Sequence, residues 1–134
     1  MKNVEKLPLL FYQKMGELFY AIAAADKVVR KVEYDVLKKM VLEKWKDLDD
    51  SKDPFQTDAA HQIEIVFDWF DYEQLEANNC FDSFEDYKKE NSKLFTQERK
   101  QLIWETADAI ASSFAGKNKS ELIMLAKLKI LLND

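Results

Sequence analysis

Five oxygen-bearing side chains in the stretch 47–58 have the spacing of a calcium loop. Asp47, Asp49, Ser51, Asp53 and Asp58 stand at the first, third, fifth, seventh and twelfth positions of that segment. These are positions from which an EF-hand turns oxygen toward calcium. Lys52 stands where glycine makes the sharp bend, Pro54 replaces the residue that pairs across the loop, and Asp58 is shorter than the usual Glu. A solvated acidic loop is therefore the expectation, with calcium as the alternative.

A second set is His61, Glu64 and Asp68, three and four residues apart and so on one helix face. Imidazole with carboxylates suits a transition metal. The chain has a single histidine, and the Glu-x-x-His order of carboxylate di-iron bundles is absent. A small metal-handling protein or enzyme using this acidic face is thus the alternative function. Zinc held by Cys80 and His61 would still lack partners. Nucleophilic catalysis would have to use His61, and no Ser or Cys is marked as its partner. Glu17, Glu105 and Asp108 lie in apolar helical sequence, where burial would raise a carboxyl pKa, but buried acids also serve structure. The expectation is a non-enzyme.

Helices must position these groups. The 134 residues include two glycines and two prolines, with 47% hydrophobic and 34% charged residues. All-β folds and phosphate-cradling loops use more glycine, so the composition points to an all-α protein. The length fits one domain, residues 1–134, which buries about two-thirds of its unfolded surface. A formal charge of −5 with no basic patch argues against nucleic acid. The single cysteine cannot form an internal disulfide and suits a reducing compartment. The N-terminal segment lacks a signal-peptide pattern. No apolar run approaches the roughly 20 residues of a membrane-spanning helix. A cytoplasmic protein without an integral membrane segment is expected.

Periodicity gives a helical bundle of about six to seven helices. The first begins near Pro8 and carries Phe11, Met15, Leu18, Ile22 and Ala25 in one stripe, widened by Tyr12, Phe19 and Tyr20. After a turn at 26–31, a second runs over 32–46, with Val36, Leu37, Met40 and Val41 inward. Thr57 is the expected N-cap of a third over 58–78, closed by Asn78 and Asn79. Ser83 with Asp86 resembles a capping box opening a short fourth helix. Thr96 caps a fifth, with Ile103, Ala107, Ile110 and Phe114 inward and Gly116 at its end. Asn118 with Glu121 opens a sixth that runs to Leu132. Most aromatics belong to the core. Trp69 lies off the core stripe, which makes 68–72 the expected edge for docking a protein partner. The Leu-rich sixth helix offers a homodimer face instead.

Sliding the chain by 88 residues lays the first hairpin on the last. Gln13, Glu17, Ala21, Ile22, Lys31, Glu33 and Leu37 meet identical residues at Gln101, Glu105, Ala109, Ile110, Lys119, Glu121 and Leu125. Two similar helical hairpins around a shared core are expected.

Ala24, Ala25 and Asp26, followed by Val29 and Glu33, resemble the motif of the TerB-like (tellurite-resistance) family. There Ala-Asp-Gly, a variable residue, Val or Ile, three variable residues and Glu span a helix–turn–helix. The resemblance covers most of the chain. It implies an all-helical fold, an association with tellurite resistance and stress responses, and a divalent cation such as calcium on acidic residues near the turn. Lys27 stands where the family usually has Gly, and the second hairpin has Phe114, Ala115 and Gly116 where an Asp would be needed. Asp26 and Glu33 alone carry over as metal ligands, against the about six to eight oxygens that calcium takes. The same two residues can also act as caps, Asp26 on turn donors and Glu33 on the helix dipole. The functional expectation is a non-enzymatic TerB-like interaction module with weak divalent-cation binding.

Overall fold

Pro8 has no backbone N–H to leave unpaired, and the first helix starts directly after it. The structure, a computed structural model, describes residues 7–48, 52–54, 57–114 and 117–134. It is an all-α helical bundle. Among the described residues six α-helices follow in order: α1 Leu9–Ala23, α2 Lys31–Glu43, α3 Gln62–Glu73, α4 Ala77–Glu90, α5 Gln97–Ser112 and α6 Lys119–Leu132. Short 3-10 turns lie at Trp45–Asp47, Ala59–His61 and Ser92–Leu94. Among the described residues there is no strand.

The stripe expected on the first helix is buried from Phe11 to Ile22, and so are the aromatics that widen it. Tyr12, Gly16, Phe19 and Tyr20 are buried together with Phe11 and Met15, so α1 is enclosed almost all round. It is the central helix, packed against α3, α4, α5 and α6. Each large apolar side chain enclosed this way contributes about 1.5–3 kcal/mol. The approach of α3 is closest at Gly16, where a Cβ would lie 2.5 Å from the Ile63 carbonyl oxygen. Glycine is required there by space.

α2 packs across α5 and α3. Its Leu37 and Val41 are buried, and Trp45 just beyond it is fully enclosed. The Trp45 indole N–H donates to Thr106 Oγ1 at 2.9 Å, and the Thr106 hydroxyl donates to the Leu102 carbonyl at 2.8 Å. This chain of bonds ties the end of the first hairpin to α5.

Several local expectations give way. The helix expected over 58–78 is two elements. Gln74 adopts φ 55°, in the left-handed region, and the Gln74 and Leu75 N–H groups turn back onto the Asp71 and Phe70 carbonyls. That is a helix stop of the kind usually given to Gly or Asn. Tyr20 fixes the break by donating its hydroxyl to the Leu75 carbonyl at 2.6 Å. Thr57 caps nothing, because the 3-10 turn begins after Asp58. Ser83 is interior to α4: it donates to Glu17 Oε1 at 3.0 Å and accepts from Lys14 Nζ at 2.7 Å. The cap of α4 is Glu76, whose carboxylate accepts the Asn79 N–H at 2.9 Å. Thr96 does cap α5, and Asn118 with Glu121 forms a full capping box on α6. Phe114 is half-exposed rather than inward, and Gly116 lies outside the described residues.

The two hairpins are α1–α2 and α5–α6. Their second helices begin at Lys31 and Lys119, 88 residues apart, so the offset read from the sequence is also the structural offset.

Candidate functional site

The turn between α1 and α2 is held by its own polar groups. Asp26 Oδ1 accepts the Val28 N–H at 3.1 Å, and Oδ2 accepts from Asn118 Nδ2 at 2.7 Å across to the second hairpin. The Arg30 guanidinium lies 3.0 Å from Asp26 Oδ2 and 4.0 Å from Glu33 Oε2. Its planar face rests over the Phe114 ring, 4.5 Å from the centroid. Lys27, within this turn, holds φ 70°, a left-handed conformation that costs a side chain energy and costs glycine little.

Glu33 and Glu121 lie beneath this layer, 1% and 2% exposed. Each closes its own helix start. The Arg30 N–H donates to Glu33 Oε1 at 2.7 Å, and the Asn118 N–H donates to Glu121 Oε1 at 3.1 Å. The two carboxyls also hydrogen-bond each other. Burial pushes the Glu33 carboxyl up to about 7; the Arg30 N–H and guanidinium pull it down, and Glu121 pushes it up further. A carboxyl in that state keeps its proton over the acid range.

Asp26 and Glu33 are therefore brought together, and the cation between them is Arg30. Among the described residues no group of three or more His, Cys, Asp or Glu side chains is arranged to hold a metal ion. The donor set does not fit a resident divalent cation unless Arg30 moves out.

The acidic loop is only partly described, and Asp49 and Ser51 lie outside the described residues. Asp47 sits in the 3-10 turn after α2. Asp53 Oδ1 accepts the Thr57 N–H at 3.0 Å. Asp58 pairs with Lys52, across an isolated antiparallel bridge, and with Lys46 at 3.7 Å. The Lys52 hydrogen bond holds the Asp58 carboxyl below the usual carboxylate range. Lysines, in the part of the loop that is described, supply the positive charge.

Of the acids expected in apolar helical sequence, Glu105 and Asp108 are surface groups, paired with Lys44 at 3.7 Å and Lys117 at 3.0 Å. Glu17 is the buried one, held by Lys14 and Ser83. Cys80 is buried beside it, and burial, with the Glu17 and Glu76 charges, pushes its thiol up to about 12. A thiol so placed is a poor nucleophile.

The outward face of α3 is different in kind. His61, Glu64, Ile65, Asp68, Trp69, Asp71 and Tyr72, with Tyr34 of α2, line a broad open depression of about 750 Å³. His61 Nδ1 lies 2.9 Å from Glu64 Oε1. Trp69 is 60% exposed and Tyr72 83%, and Ile65 is also exposed. Trp69 packs one edge on Phe70, 5.7 Å between centroids, and Phe70 reaches Tyr20 of the central helix. The aromatic platform is thus fixed to the core while its outer side meets solvent.

The fold and these sites define a class: an all-α bundle of two like hairpins around a central helix, with a buried carboxyl pair where they join. No family model, curated protein or solved structure matches the chain. The sequence reading missed the Glu33–Glu121 contact. The signal was present, because the two glutamates are equivalent under the 88-residue offset and both stand three residues after a helix cap.

Proposed function

We propose that this protein is a non-enzymatic, TerB-like interaction module that engages another protein through the outer face of α3. The observation that carries this reading is the solvent-facing aromatic platform of Trp69 and Tyr72 on a helix whose opposite side is locked into the core. Trp and Tyr are over-represented where interfaces concentrate their binding energy. The TerB-like part is supported by the paired hairpins, by Asp26 at the first turn and Glu33 in the next helix, and by left-handed Lys27 at the family's glycine position. Tellurite or other stress response in the cytoplasm is the setting that the resemblance implies.

A divalent cation at Asp26 and Glu33 belongs to this reading as a weak secondary property, because it would have to displace Arg30. Calorimetric titration with calcium, magnesium and manganese tests it: heat that disappears in Asp26→Asn supports it, and no heat removes it. A metal-handling role for His61, Glu64 and Asp68 is the weaker alternative, since His61 is already engaged by Glu64.

The docking reading is tested by affinity capture from extracts of the source cells, with the wild-type protein and the Trp69→Ala/Tyr72→Ala variant side by side. Partners retained by the wild type and lost by the variant are expected. The same proteins captured by both would overturn the assignment to α3.

A further inference from the structure

The chemistry around Trp69 and Tyr72 specifies what should bind there. Elsewhere four aromatic rings carry one of the molecule's own cations. Arg30 lies over Phe114 at 4.5 Å, Lys38 over Tyr34 at 5.4 Å, Lys127 over Phe81 at 4.8 Å and Lys129 over Trp104 at 5.6 Å. Among the described residues no cation lies over Trp69 or Tyr72. Acids line the depression with them instead: Glu64, Asp68 and Asp71, all on α3.

Asp35, on α2, is paired with Lys31 at 2.9 Å, so the uncompensated acids are those of α3. Among the described residues neither Asp68 nor Asp71 has a salt-bridge partner, while Glu64 shares His61. Burial and then the Asp68 charge push the Asp71 carboxyl up, and burial followed by the Asp68, Glu64 and Asp35 charges pushes the Tyr34 hydroxyl up. In both, burial is the larger cause and the neighbouring acids add to it. The nearby cations are Lys38, at the edge over Tyr34, and Lys31, taken up by Asp35.

We propose that the outward face of α3 is the docking surface for a protein segment that presents arginine or lysine beside apolar side chains, the cation seated on Trp69 or Tyr72 within reach of Asp68 and Asp71, and the apolar groups on Ile65. A cation on an aromatic face gains about 0.5–2 kcal/mol, more as water is excluded, and the neighbouring acids add charge complementarity and steer association. The outward face of α6 is less suited to a basic segment, because Lys127 and Lys129 already lie beside its apolar residues Leu122, Ile123 and Ile130. This inference rests on the docking reading above and adds the identity of the occupant.

The test is calorimetry and tryptophan emission on the full chain, titrated with a short arginine–leucine peptide and with the matching glutamate–leucine peptide. Binding of the arginine peptide alone is expected. It should weaken about tenfold in Trp69→Ala and in Asp68→Asn, and should weaken again as salt shortens the screening length from about 30 Å to about 8 Å. Leu122→Ser, on the far helix, should bind as the wild type does, which separates loss of the site from loss of the fold. Equal binding of both peptides, or binding unchanged in Trp69→Ala, overturns the proposal. Failure of the arginine peptide while captured partners still depend on Trp69 overturns the basic occupant and leaves the docking reading standing. A wild-type protein that self-associates, and becomes monomeric in Trp69→Ala, assigns the face to a second copy and overturns it equally.

Discussion

Glu33 and Glu121, 88 residues apart in sequence, meet carboxyl to carboxyl in the interior where the two hairpins join. Each also closes the first turn of its own helix, so the pair is at once two caps and one contact between hairpins. Two charged carboxylates cannot share such a place without strong repulsion, and a proton on Glu33 turns the repulsion into a hydrogen bond.

Stability should therefore depend on pH in a stated direction. The Glu33 pKa is raised in the fold from 4.5 to about 7, so the folded state binds a proton that the unfolded state has released. The contribution is fully present below about pH 4.5 and is lost as pH rises through about 7, with a ceiling of about 3 kcal/mol. Glu33→Gln mimics the protonated group. Thermal melting of this variant should show little of the decline between about pH 5 and 8 that the wild type shows. An unchanged decline would place the titrating group elsewhere.

Lys27 is the left-handed residue of the first turn, and its side chain carries a conformational cost there. Lys27→Gly should stabilise the protein by up to about 1 kcal/mol, the gain being reduced by the greater freedom of glycine in the unfolded chain. Urea unfolding reads this as a higher midpoint at constant slope. A lower midpoint would mean that Lys27 contributes more through its side chain than its backbone costs.

Thr106 Oγ1 accepts the hydrogen bond of the buried Trp45 indole N–H. Thr106→Val keeps the shape and leaves that N–H unpaired, at a cost of about 1–3 kcal/mol. The midpoint of urea unfolding should fall accordingly, and Thr106→Ser should recover most of the loss.

Much of the fold was legible in the sequence because its signals are local. Pro8, Thr96 and the Asn118–Glu121 box mark helix starts by chemistry that acts within one turn. What was missed depends on neighbours distant in sequence. The break at Gln74 carries no Gly or Asn, and it is held by Tyr20, 55 residues away. Ser83 looked like a cap because its surroundings fit one, yet its partners are Lys14 and Glu17 on another helix. Phe114 kept helical spacing with the core and still turned outward, under Arg30. At the candidate site, the exposure of Trp69 was legible from its place off the core stripe. The acids around it read in the sequence as a solvated helix face, with a metal as the alternative, because sequence shows residue types and not the absence of a cation above an aromatic ring.

The central claim is that α3 faces another protein. A benzophenone-bearing residue placed at position 65, which leaves Trp69 and Tyr72 in place, with the same residue at position 122 as control, tests it by photo-crosslinking in the source cells. The account predicts a discrete adduct with a second protein from position 65 and none of that mass from position 122. No adduct from position 65, or the same adducts from both positions, would contradict it.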